Sequence, residues 1–77
     1  MQITKSHQFS TRLKQLRQAK GLLQKDMAAE LNITCRAFQN YEIGQREPTI
    51  NVLISLANFF NVSLDYLVGL TDNPARL

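Results

Sequence analysis

The segment from Gln24 to Glu42 most restricts what this chain of 77 residues can fold into. Met27, Ala28 and Leu31 recur at the spacing of one helical face; after a break at Asn32, a second apolar face opens with Ile33, Phe38 and Tyr41. Two apolar faces separated by so short a break have to pack on each other. Ala28 is small enough to let the helices cross closely, and Asn32 tolerates the left-handed conformation that a tight turn demands. Thr34 can cap the second of the two helices by accepting from a free amide of its first turn, and Ile33 can staple onto Phe38.

The flanking sequence supplies more helices of the same kind. Phe9, Leu13 and Leu16 give a helix from about Ser6 or Ser10 to Lys20, stopped by Gly21, after an N-terminal arm of residues 1–5 expected to be flexible. Leu22 and Leu23 lead into the helix that begins at Gln24. No hydroxyl precedes it, so Asp26 in its first turn is the expected partial substitute for a cap. The next helix runs from Cys35 to about Tyr41 and stops at Gly44. Beyond the polar connection Gln45-Arg46-Glu47-Pro48, Thr49 caps a fourth helix reaching Phe60, with Ile50, Leu53, Leu56, Ala57 and Phe60 on one broad face. Val52 and Phe59, seven residues apart, form a second stripe off that face. Asn61 breaks the helix, and Val62 and Ser63 open a short fifth helix containing Leu64 and Leu67 and ending by Gly69. Residues 71–77 form a tail. The expectation is an all-α, compact five-helix bundle in a single domain of residues 6–70.

Composition rules out several classes of function. One cysteine, Cys35, allows no internal disulfide, and with His7 as the one histidine there is no metal-ligand set and no nucleophile–histidine pair, so an enzyme is not expected and no cofactor is implied. No apolar run approaches a signal peptide or a membrane span, which points to the cytoplasm. The net charge of +3 is unevenly spread, because Lys5, Arg12, Lys14, Arg17, Lys20 and Lys25 all precede the first acidic residue, Asp26. Such a run suits either a solvated helix face or a nucleic-acid surface.

Four motifs occur in order: R-L-K-x-L-R at residues 12–17, Q-x-x-M-A at 24–28, Y-E-x-G-x-R-x-P at 41–48 and V-S-L-D-Y-L at 62–67. Together they resemble the phage repressor and Cro family of helix-turn-helix regulators, the xenobiotic-response-element class found in bacteria, over roughly four-fifths of the chain. The resemblance implies a lambda-repressor-like fold in which the second and third helices form the helix-turn-helix and the third lies in the DNA major groove. By the family's pattern the base contacts are Cys35, Arg36, Gln39 and Asn40. An arginine fork suits guanine, the two amides suit adenine, and a thiol is small enough to meet a thymine methyl. Phosphate contacts are expected from Gln24, Lys25, Thr34, Arg46 and Lys5, while Arg17 and Glu42 form an internal ion pair. The chain departs from the family at Leu23, commonly Ser or Thr, at Ile43, commonly Asn, and at Gln45, commonly Lys. Two frequent backbone contacts are thereby missing, and a shallower salt dependence follows.

The same resemblance implies a double-stranded DNA partner with a palindromic operator, read by a homodimer. With no second domain in these 77 residues, the pairing surface has to come from the bundle, and Val52, Phe59, Val68 and Leu70 are its expected members. The function implied is a transcriptional regulator, a repressor acting by promoter occlusion, with any inducer a protein or a peptide. The competing expectation is an antitoxin or adaptor in which the same fold grips a protein. The polar outward edge of the third helix favours the DNA reading.

Overall fold

The computed structural model describes residues 5–76, with side chains from Gln8 onward. Five helices occupy it: α1 (Lys5–Ala19), α2 (Gln24–Leu31), α3 (Cys35–Glu42), α4 (Ile50–Phe60) and α5 (Leu64–Leu67), and there is no strand among the described residues. The first helix begins at Lys5, inside the stretch expected to be an arm. Residues 1–4 lie outside the described residues.

One device ends every helix. Gly21, Asn32, Gly44, Asn61 and Gly69 all take positive φ, and the amide of the residue after each reaches back five positions, as in Leu22 N–H to Arg17 O at 3.2 Å and Leu70 N–H to Asp65 O at 2.8 Å. This closes the orphan carbonyls of the last turn. Asn32, at φ 57° and ψ 46°, bears out the turn expected there. The residues that follow Gly21, Asn32 and Asn61 are apolar: Leu22 and Ile33 pack partly buried against the core, and Val62 is buried within it. Three helix starts share a second device, a hydroxyl accepting from the amide three residues on: Thr34 from Ala37 at 3.0 Å, Thr49 from Val52 at 3.3 Å and Ser63 from Tyr66 at 3.0 Å.

The core is Phe9, Leu13, Met27, Ala28, Phe38, Tyr41, Leu56, Ala57, Phe60, Val62 and Leu67, with contributions from all five helices. Leu13, Met27, Phe38, Leu56 and Leu67 are completely enclosed, each worth about 1.5–3 kcal/mol in burial. Around this centre α2 and α3 pack on each other, α1 crosses α3, and α4 joins α2 to α5.

Two expectations about α4 need correction. Ile50, expected inward, is 63% exposed. It occupies the first turn, beside the exposed connection of residues 43–47, where no other helix covers it. Val52 and Phe59, expected as a stripe off the core face, are half-buried against the core. The Phe59 ring meets Phe60 edge-on, with centroids 5.1 Å apart, and the Lys20 ammonium lies 5.6 Å from its centroid.

Candidate nucleic-acid interface

The α3 helix is divided lengthwise. Phe38, Tyr41 and Glu42 are buried, whereas Cys35 and Arg36 are exposed and Gln39 and Asn40 half-buried. Positions 35, 36, 39 and 40 recur one turn apart and share a single edge, so all four expected base contacts are brought together. The Gln39 amide lies 3.9 Å from Cys35 Sγ, a weak contact along that edge.

Glu42, in the last turn of the helix, keys α3 to the rest of the molecule. Arg17 Nε donates to Glu42 Oε2 at 2.6 Å and Arg17 Nη2 to Oε1 at 3.1 Å, while Nη1 donates to the carbonyl of Leu22 at 2.9 Å. Gln24 Nε2 adds a third bond to the carboxylate, 2.9 Å from Oε1. The side chains of the pair are 10% and 2% exposed. Hydrogen bonding to Glu42 holds the Arg17 guanidinium above its ordinary value, outweighing the burial that would lower it. The expected ion pair thus ties α1, the start of α2 and the end of α3 into one rigid unit.

The phosphate candidates are placed differently from one another. Lys25, Thr34 and Arg46 are exposed. Thr34 Oγ1 accepts from the Ala37 amide, a bond that does not engage its O–H as a donor. Gln24 is half-buried and turned toward Glu42, which leaves one Nε2–H and the uncapped amides of the first turn to meet an anion. Leu23 has a cap's backbone geometry but no acceptor to offer, and Asp26 compensates by accepting from the Leu23 amide at 2.8 Å. The side chain of Lys5 lies outside the described residues. Of the expected pairing residues, Val52, Phe59 and Val68 are half-buried and Leu70 is 57% exposed.

Sequence reasoning missed Arg12. It belongs to the basic run, yet it donates to the carbonyls of Tyr66 and Thr71 and to Asp72. Its position beside Leu13, on the flank of the apolar face of α1, was the only sequence signal that it turns inward. With Arg17 also engaged, the positive surface rests on fewer residues than the charge pattern suggested. Lys25, Arg36 and Arg46 enter no ion pair among the described residues.

Comparison with known proteins agrees with this fold. A family model described as helix-turn-helix matches residues 13–67. The chain belongs to the Cro/C1-type helix-turn-helix family. It is 48% identical over 60 residues to an uncharacterized HTH-type transcriptional regulator of Bacillus subtilis, YqaE, covering 78% of this chain and 52% of that one. A transcriptional repressor of a cryptic phage in Vibrio cholerae, RstR, is 34% identical over 58 residues, covering 75% and 52%. The crystal structure of a transcriptional regulator from Listeria innocua superimposes with a TM-score of 0.78 at 39% identity, covering 80% of this chain and 58% of the other. The chain thus spans about half the length of the curated relatives it matches.

Proposed function

We propose that this protein is a sequence-specific, double-stranded DNA-binding transcriptional regulator that reads base edges through α3. The observation that carries the reading is the polar edge of Cys35, Arg36, Gln39 and Asn40 on a helix held in place by its buried residues Phe38, Tyr41 and Glu42. A recognition helix pays little ordering cost if its outward side chains already stand on a rigid scaffold. Arg36 would take a guanine, Gln39 and Asn40 adenines, and Cys35 a thymine methyl. Lys25, Arg46, the Thr34 hydroxyl and the first amides of α2 would hold the phosphates on either side. Such a regulator would work in the cytoplasm.

An eight-residue helix reads only a few base pairs, so the operator would be palindromic and read by a homodimer. The shape supports this. The chain's principal-axis extents are 28 × 28 × 22 Å, a size at which a two-fold pair can reach across the roughly 34 Å repeat of successive major grooves. The most exposed large apolar residues of α4, α5 and the segment after them are Ile50, Ile54, Leu64 and Leu70, and the pairing face belongs there. Bound to overlapping promoter DNA, the dimer would repress by occlusion, and an inducer would be a protein or peptide that competes for one of these surfaces.

Selection of random duplexes by the purified protein at two salt concentrations, alongside Arg36→Ala, tests the reading. The expected result is an inverted repeat that loses preference at one position per half-site in the variant, at a cost of about 1–3 kcal/mol. Binding without any enriched sequence, fading uniformly with salt, would refute base reading and favour the protein-gripping alternative.

A further inference from the structure

The segment following α5 is stitched to three helices. From α1, Arg12 Nη1 donates to the carbonyls of Tyr66 and Thr71, its Nη2 lies 2.7 Å from Asp72 Oδ1, and its guanidinium carbon stands 4.0 Å from the Tyr66 ring centroid. The chain then turns on Asn73, whose amide donates to Thr71 Oγ1 and whose Oδ1 accepts from the Ala75 amide. Pro74 O accepts from the Ser63 amide at 3.1 Å, and Arg76 reaches Asn58 Oδ1 on α4 at 2.7 Å. Gln8 packs so tightly on Gly69 that a Cβ there would come within 2.8 Å of Gln8 Cβ.

The four-residue α5 is too short to hold itself. The Asp72 side chain is fully exposed, so its ion pair is screened and weak. What remains specific is the planar fork of Arg12, which satisfies two carbonyls and stands over an aromatic ring at once. Lysine, a point donor on a flexible stem, cannot reproduce that.

We propose that residues 70–76 are a strap, closed on α1 by Arg12, which holds α5 in place and fixes Leu70 as part of the apolar face offered to a second copy. Arg12 is then a positioning residue and not a DNA contact, despite its place in the basic run. The strap stands on the contacts alone, whereas its role in pairing rests on the DNA reading proposed above.

Amide hydrogen exchange of the full chain without DNA tests the strap, in Arg12→Lys and Arg12→Met. Exchange at Ser63, Leu70 and Ala75 should rise about tenfold or more in both variants while Met27 and Phe38 keep their rates. Unchanged rates at the first three amides would show that Arg12 does not close the strap. An equal rise at all five would show that it adds only to global stability. If Arg12→Met fails to fold, Arg12→Lys decides the same question. With DNA, Arg12→Lys should keep its affinity for a single half-site and lose several-fold on the two-half-site operator. Equal loss on both, with a shallower salt dependence in Arg12→Met, would instead place Arg12 on a phosphate. If the unaltered protein shows no sequence preference, the DNA reading falls while the exchange result stands by itself.

Discussion

Glu42 carries more of this fold than its size suggests. Its carboxylate is almost fully enclosed and accepts from Arg17 twice and from Gln24 once. Removing the cation leaves a buried negative charge with a single neutral donor. Arg17→Met is therefore expected to cost about 3–5 kcal/mol in urea unfolding, a large share of what so small a domain holds. Arg17→Met/Glu42→Leu should recover most of that, because the lone charge goes too. A double variant as unstable as the single one would mean that the lost bond to the Leu22 carbonyl dominates. Because the folded Arg17 value is raised, its contribution is complete below the ordinary arginine value and disappears only as pH rises through the folded one. Acid unfolding cannot originate at Arg17. Nothing in the local pattern relates two residues 25 positions apart, so this pair was legible only through the family resemblance. The Gln24 and Arg12 partners were not legible at all, since a side chain's choice between water and an internal acceptor depends on which helix lies opposite it.

Helix limits were easier to read than helix partners because they are written locally. Gly21, Asn32, Gly44, Asn61 and Gly69 are the residues that accept positive φ, and Thr34, Thr49 and Ser63 are hydroxyls at helix starts. Periodicity likewise placed Leu13, Met27, Phe38 and Leu56 in the core. It failed at Ile50, since a face is visible in sequence but the point where the covering helix ends is not. The α2 start is the exception among the caps, and that yields a prediction. Leu23 sits at φ −88° and ψ 161°, already extended as a cap requires, and is 57% exposed, so little burial is lost on replacing it. Leu23→Thr should stabilise the protein by about 1 kcal/mol, read as a higher urea midpoint at unchanged slope. A lower midpoint would show that the leucine packs on something the exposed surface conceals.

At the scale of the whole molecule, two sets of apolar residues compete for the proposed pairing surface, and they differ in what the bundle already does with them. Phe59 is in edge contact with Phe60 and lies under Lys20, and Val52 packs against the core beside it. Ile50 and Ile54 are 63% and 43% exposed, one turn apart on the same side of α4, with Leu64 at 38% and Leu70 at 57%. A charge placed on a half-buried ring position should act on folding, and a charge placed on an exposed stripe should act on association. Phe59→Glu is accordingly expected to destabilise the monomer by about 2–3 kcal/mol through lost burial and a poorly solvated carboxylate. Ile54→Glu should leave the unfolding midpoint within about 0.5 kcal/mol of the parent while shifting sedimentation toward monomer and weakening binding to a two-half-site duplex. Binding of the same variant to a half-site should be unchanged, since α3 is untouched. If Ile54→Glu leaves the sedimentation and the two-half-site affinity as they were, the pairing face does not lie on this side of α4. A Phe59→Glu protein that folds normally but no longer pairs would return the interface to Val52 and Phe59.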